Sequence, residues 1–405
     1  MKEINVAVIG IGARGNGNLK TILNMEGINV VSVCDVYEDR CDEAEEIVFE
    51  KLGKKPFKTT DYKEAINRSD VEVVLVFSSW ESHIKIAVYA MECGKTVGME
   101  VGGAESVEEC WQLVKTYEKT KSPFMFLENC CYGRNELLIR NMEKDGLFGE
   151  IVYCHGAYGH DLREEVTTGK ERRHYRLNHY LNVNCENYPT HELGPIAKIL
   201  GINRGNQMIR LVSMASKAAG LRQYINDRKD TIENKELIGA EFKQGDVVNT
   251  LITCANGATI SLKLDTTLPR SYSREFTVQG TKGMYEENTN SVFFDGDKEG
   301  FETAKHYKEV FDNAKNYEEK YLPDCWKSLT KEQEEQGHGG MDWFEFLAFF
   351  DAVRNNKPMP IDVYDAASWM CISPLSRESI EKGNIPLEIP DFTSGKWRER
   401  ERFDV

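Results

Sequence analysis

The chain has 405 residues, 40% of them hydrophobic and 29% charged, which is enough for two or three domains with sizeable cores and unlike a disordered polymer. Its formal net charge is −15 and its basic residues are scattered, which excludes the concentrated positive potential that recruits nucleic acid or an anionic membrane. No run approaches the roughly 18 apolar residues of a membrane span, and the first residues lead into a strand pattern rather than an apolar leader, so a cytoplasmic protein is expected.

An apolar strand from Val6 runs into Gly10, Gly12 and Gly15, a polar helical stretch follows, and a second apolar run ends in Asp35. That order describes a buried parallel strand turning into a helix whose N–H groups face a pyrophosphate, Gly10 allowing the turn and Gly12 letting backbone approach the ligand. Asp35 lies where a carboxylate accepts hydrogen bonds from the adenosine ribose and repels a 2′-phosphate, which favours NAD. Arg14 and Arg40 keep NADP open, since an arginine near the ribose accommodates that phosphate.

Strand and helix patterns then alternate. A charged helix over Glu38–Leu52, a short strand at Pro56–Lys58, a helix over Tyr62–Asn67 capped by Asp61 and a strand over Val71–Phe77 follow in turn. This last strand runs through Ser78, Ser79, Trp80, Glu81, Ser82 and His83 into a helix over Ile84–Cys93, setting those groups at the carboxyl edge where open parallel sheets bind ligands. A strand ending in Glu100, an amphipathic helix over Ser106–Lys119 and a strand over Pro123–Glu128 complete a doubly wound Rossmann dinucleotide-binding domain over residues 1–130.

Residues 131–405 read as an α+β domain with a large, open, mostly antiparallel sheet, serving substrate binding and oligomerisation. A helix over Asn135–Asp145 precedes strands at Gly149–Gly159 and Met208–Ser216, and Glu236–Leu268 carries alternating runs around turns at Gly245-Asp246 and Asn256-Gly257. One face of such a sheet is left for another subunit, so a homo-oligomer, dimer or tetramer, is expected. His160–Pro189 and Thr289–Met341 read as long irregular loops, and Asp342–Asn355 and Val363–Lys382 as helices that can pack back on the first domain. The eleven cysteines are odd in number and lack a Cys-x-x-Cys pair, so they read as reduced, mostly buried thiols.

Four clusters can carry chemistry: Glu100 to Ala104, Glu128 to Arg134, Tyr158 with His160 and Asp161, and Tyr188-Pro189-Thr190-His191. Each has an ordinary reading too: a surface carboxylate at Glu100, a turn cap at Asn129, a core ring at Tyr158, an N-cap at Thr190. Set at strand ends around a dinucleotide site, they read as acids, bases and phenols placed where cofactor and substrate meet. A metal site built from His160, Asp161, His191 and Glu192 lacks a ligand signature, and no metal is expected.

The glycine turn, the Trp80–His83 segment, Glu100 and the second domain resemble the Gfo/Idh/MocA oxidoreductases. Within them, Glu-Asn-Cys-Cys-Tyr-Gly-Arg from Glu128, Tyr-Pro-Thr-His from Tyr188, Asn203-Arg204-Gly205 and Gly-His-Gly-Gly-Met-Asp from Gly337 are similar to glycoside hydrolase family 109, the NAD-dependent α-N-acetylgalactosaminidase type. The resemblance implies NAD contacts from Arg14, Gly15, Asp35, Trp80 to His83, Glu100, Val101, Asn129 and Arg176. It implies a sugar site from Tyr158, Tyr188 to His191 and Tyr272. Two departures stand out: the usual Glu-Val-Pro is Glu-Val-Gly here, and the segment between Tyr158 and Arg176 differs in length.

Typical sugar dehydrogenases of the wider family carry Glu-Lys-Pro at the strand that here ends in Glu100. The lysine is replaced by Val101, and Lys95 lies at the opposite end of the strand. Acid–base work then falls to His191, Tyr188 and Tyr158, with Glu128 nearer the cofactor. The resemblance implies a glycosidase that oxidises sugar C3 transiently, eliminates across C1–C2, adds water and re-reduces, acting on an N-acetylgalactosaminide or related glycoside. Two other readings stay open: a net sugar or glycoside 3-dehydrogenase, and a non-catalytic nucleotide sensor on the same fold.

Overall fold

The computed structural model describes residues 3–297 and 307–403. The described residues divide into two compact units, one comprising those up to Tyr132 with Ser328–Ala367 and Phe403, the other those of Gly133–Lys327 with Ser368–Arg402.

The first unit holds six parallel strands, β1 (Ile4–Ile9), β2 (Ile28–Cys34), β3 (Phe57–Thr59), β4 (Val73–Val76), β5 (Thr96–Glu100) and β6 (Phe124–Leu127), in the order β3-β2-β1-β4-β5-β6. The order reverses between β1 and β4, which is where such sheets open a crevice at their carboxyl edge. Val6, Ala7, Val8 and the whole of β4 are buried, so these strands read as continuous apolar runs rather than alternating ones. The helix Met341–Asn355 belongs to this unit: Phe346 meets Phe77 edge-on at 6.2 Å, and a side chain at Gly98 would press on the Phe349 ring.

The second unit holds β7 (Ile151–Gly159), β8 (Met208–Ala215), β9 (Val247–Cys254), β10 (Thr259–Asp265), β11 (Thr277–Gly280), β12 (Gly283–Glu286), β13 (Ser291–Phe294) and β14 (Leu387–Glu388). Their order is β13-β12-β11-β7-β10-β9-β8-β14, with β7 parallel to β10 and the other pairs antiparallel. Val248, Thr250, Ile252 and Cys254 point inward while Asn249, Leu251 and Thr253 point out, the period of two of a sheet with one covered face. The helix Thr190–Leu200 packs on β7 at Gly156, where a Cβ would stand 2.7 Å from Glu192 Cβ.

Local structure departs from the expected elements in five places. The helix after β4 starts at Trp80 rather than Ile84, because the polar run there is its first turn: Ser79 takes the extended N-cap conformation and Glu81 complements the helix dipole. Glu236–Gly245 forms no strand; Asn234 accepts from the Glu236 N–H to make a short 3-10 turn, and the Lys243 and Gln244 N–H groups donate to the Tyr180 carbonyl. Val363–Lys382 is two helices, Val363–Met370 and Ile372–Glu381, since Pro374 has no N–H for the Met370 carbonyl. Thr190 is the first helical residue rather than the cap, which is Pro189.

The fifth departure concerns the long loops. His160–Pro189 contains helices Arg163–Thr167 and Arg176–Asn182. Thr289–Met341 contains β13 and short helices, and its residues 298–306 lie outside the described ones. All eleven cysteines are free thiols, nine of them buried. Among the described residues no helix is long and apolar enough to cross a membrane.

Candidate active site

In the first unit, Gly10 and Gly15 make the strand-to-helix turn possible by close approach: a Cβ at Gly10 would meet Ser78 N at 2.5 Å, and one at Gly15 would meet Gly10 O at 1.8 Å. Gly12 caps the helix Ala13–Leu23 in an extended conformation without a side-chain bond, leaving the N-terminal turn open to a ligand. Asp35, buried at the end of β2, accepts from Ile11 N (2.7 Å) and Tyr37 N (3.0 Å), and Arg40 faces it at 3.7 Å. Arg14 donates through Nε to Glu100 (3.2 Å) and through its terminal nitrogens to Asp342, so its fork is committed to carboxylates rather than held out to a 2′-phosphate. Asn129 donates to Asp342 (2.7 Å), and its buried Oδ1 meets no donor among the described residues.

The rest of the carboxyl edge is tightly built. Ser78 accepts from Ser82 at 2.9 Å. Trp80 lies against Gly102, whose φ of +147° and lack of a side chain are both required, since a Cβ would stand 2.2 Å from the indole. A proline, locked near −65°, cannot take that conformation, which accounts for Glu-Val-Gly after β5. Val101 is buried and apolar. Burial pushes His83 down to about 4, with backbone of Gly103 and Glu100 opposing, so the ring is neutral. Glu128 is buried at the end of β6 and accepts from Cys130 N at 3.0 Å.

The second unit gathers another set. Tyr158, near the end of β7, lies 4.7 Å from the Tyr188 ring and 5.8 Å from the His191 ring, and its hydroxyl is 3.3 Å from His160 Nδ1. Tyr188 reaches His191 Nε2 at 3.4 Å. The Arg176 guanidinium stands over Tyr188 at 5.1 Å and Tyr158 at 6.0 Å, and Tyr272 meets His160 edge-on at 5.2 Å. Burial pushes the Tyr158 phenol up while the Arg176 charge and hydrogen bond pull it back; burial and Arg176 together push His160 down. Thr190 is fully buried beside them, and Asp161 is occupied by Arg163 at 2.6 and 2.8 Å.

Sequence patterns therefore point to two sets that the fold does assemble, the first around Gly10–Asp35, Trp80–Glu100 and Asn129, the second around Tyr158, Tyr188, His191 and Tyr272. Arg176 stands with the second. Glu165, which pairs with Arg176 at 3.3 Å, escapes local patterns because it is defined by its partner; Asp342 ends the Gly337 motif, but its role, too, is set only by its partner Arg14. Arg270 escapes likewise; it lies on Gly159 and ties both ends of the Tyr272 loop, to Asp265 (2.8 Å) and Glu275 (3.1 Å).

Known proteins match nearly the whole length of the chain. Residues 4–127 match the oxidoreductase family with an NAD-binding Rossmann fold, and residues 132–399 match the C-terminal domain of glycosyl hydrolase 109. A glycosyl hydrolase family 109 protein of Stenotrophomonas maltophilia is 36% identical, covering 98% of this chain and 91% of its own. An alpha-N-acetylgalactosaminidase of Tannerella forsythia is 35% identical, covering 97% and 87%. Levoglucosan dehydrogenase, solved with NADH and levoglucosan, shares the fold at a TM-score of 0.70 and 19% identity over 96% of this chain and all of that one. The glycine turn, Asp35 and the committed Arg14 suit NAD, which is the cofactor. The chain belongs to glycosyl hydrolase family 109, on a Gfo/Idh/MocA oxidoreductase frame.

Proposed function

We propose that the protein is an NAD-dependent glycosidase for an N-acetylgalactosaminide or a related glycoside. The observation that carries this reading is the packed Tyr158–Tyr188–His191–Arg176 cluster in a chain whose residue 101 is a buried valine. Gly10, Gly12, Arg14, Gly15, Asp35, Ser78, Trp80, His83, Glu100, Val101 and Asn129 hold the dinucleotide. When bound, NAD supplies a reversible acceptor for hydride from sugar C3. A carbonyl at C3 acidifies the C2 proton, which the phenol and imidazole cluster removes as the C1 substituent leaves with its bonding electrons. Arg176 stabilises the phenolate form, and the Tyr188–His191 pair passes the C2 proton to the departing oxygen; as water adds at C1 the pair takes a proton from it and returns one to C2, after which the hydride goes back to C3. No pair of carboxylates at glycosidase spacing is needed.

The test is incubation of the protein, without added nucleotide, with a panel of aryl glycosides including the α-N-acetylgalactosaminide, in deuterated water. Phenol release, deuterium at C2 and no net NADH are the expected result. Accumulation of NADH with an intact glycosidic bond, on supply of stoichiometric NAD, marks a sugar dehydrogenase instead. Location and assembly complete the reading: free, mostly buried thiols support a cytoplasmic protein, and exposed Val152, Met214 and Leu251 on strands of the second unit support a homo-oligomer formed over its sheet.

A further inference from the structure

We propose that Asp342 is the positioning residue of the dinucleotide site: it fixes the Arg14 guanidinium at the start of the helix Ala13–Leu23 and thereby sets how tightly NAD is retained. The inference rests on Arg14 being a cofactor contact.

Two residues assigned to the cofactor, Arg14 and Asn129, converge on this one carboxylate, and a third, Glu100, holds the same guanidinium. Asp342 accepts from both terminal nitrogens of Arg14, the Nη2–Oδ1 bond being 3.1 Å, and from Asn129 Nδ2 at 2.7 Å; Glu100 takes the remaining Arg14 nitrogen, Nε, at 3.2 Å. His338 Nδ1 lies 3.0 Å from Asp342 Oδ2. The Asp342 side chain is only 2% exposed. Such a bidentate clamp fixes the plane as well as the position of a guanidinium.

The Gly-His-Gly-Gly-Met-Asp stretch is shaped around that carboxylate. Gly337, His338, Gly339 and Gly340 take φ of +78°, +44°, +64° and +99° in succession, a left-handed run that three glycines make possible. A Cβ at Gly337 would stand 2.3 Å from Asp342 Oδ2. Asp342 then enters the first turn of the helix Met341–Asn355, where the helix dipole favours a negative charge. Burial works against that charge, but Arg14 and the hydrogen bonds from His338 and Arg14 hold the carboxyl well below the usual carboxylate range. Arg14 likewise stays charged: burial opposes it, and Glu100 and Asp342 more than offset the penalty. The guanidinium is thus in place before the nucleotide arrives, so binding does not have to order it.

The experiment is calorimetric titration of NAD into the nucleotide-stripped full-length protein, for wild type, R14Q, D342N, D342E and the R14Q/D342N double variant, alongside the melting temperature of each apo form. D342N is expected to weaken NAD about tenfold to a hundredfold, the range for losing charge-assisted hydrogen bonds. The double variant is expected to bind within about twofold of R14Q, since Asp342 acts through Arg14, and D342E to recover part of the loss. An affinity of D342N equal to wild type, or single losses that add in full in the double variant, overturns the proposal. Wild-type affinity in R14Q removes the Arg14 contact and the proposal with it. If D342N does not fold, G337A crowds the carboxylate without removing its charge; weaker NAD binding supports the proposal and unchanged binding overturns it. Glycoside turnover enters none of these readouts, so failure of the glycosidase reading is seen separately.

Discussion

His191 stands in the first turn of its helix with its ring 4.8 Å from Tyr188 and 5.8 Å from Tyr158, and with Nε2 in reach of the Tyr188 hydroxyl. Replacing it by alanine is expected to lower turnover of the aryl glycoside by roughly 100- to 10,000-fold, the range for losing a general acid–base group, while NAD content stays that of wild type. Retained turnover removes His191 from the chemistry. Residues of this kind are legible in sequence because their spacing is local: Tyr188 and His191 are three apart across a helix start, and Tyr158 and His160 are two apart where β7 ends. Glu165 is not legible in that way. Its meaning lies in Arg176, eleven positions on and in another helix, and no periodicity joins them.

At the scale of elements, β7 and the helix Thr190–Leu200 create the cluster by touching at Gly156. That residue and Tyr158 lie on the same face of the strand, so whatever rests on Gly156 comes to the phenol. G156V inserts a branched side chain where Glu192 Cβ leaves 2.7 Å, and is expected to cost about 1–3 kcal/mol of stability by overpacking. It also lifts His191 away from Tyr158. Urea unfolding measures the first effect; turnover reduced by more than the unfolded fraction measures the second. The parallel strands were readable because burial on both faces leaves long apolar runs between glycines and caps. Boundaries were less so: Pro374 splits a pattern that is amphipathic throughout, and the run after Ser79 is polar because it is a helix's first turn, not because it is a loop.

Across the whole molecule, each unit contains a histidine kept neutral by burial. His83 in the first and His179 in the second are both pushed down to about 4, from an ordinary 6.5. Between those values the unfolded chain takes up protons that the folded one refuses, so stability falls as pH drops, by about 1.4 kcal/mol per pH unit for each histidine. Glu186 runs the other way. Burial raises its carboxyl from 4.5 to about 8, so the folded chain keeps a proton that the unfolded one gives up, and this contribution is lost as pH rises through that window. Urea unfolding from pH 4.5 to 8 is expected to show H179Q less sensitive to acid than wild type and E186Q less sensitive to base. Slopes equal to wild type contradict both assignments.

The path of the chain through the first unit has a consequence for how the protein is made. Its sheet is complete by Tyr132, yet the residues that cover Phe77 and Gly98 and hold Arg14, namely Phe346, Phe349 and Asp342, are translated more than two hundred codons later. The nascent sheet therefore emerges from the ribosome with an uncovered apolar flank, and the second unit is inserted, in the order of synthesis, between the halves of the first. A ribosome stalled between residues 132 and 328 carries a dinucleotide fold that lacks its clamp. The grip that Asp342 gives Arg14 is available only after the segment ending at Ala367 has cleared the exit tunnel, so the tightest hold on NAD comes late in the synthesis of this chain.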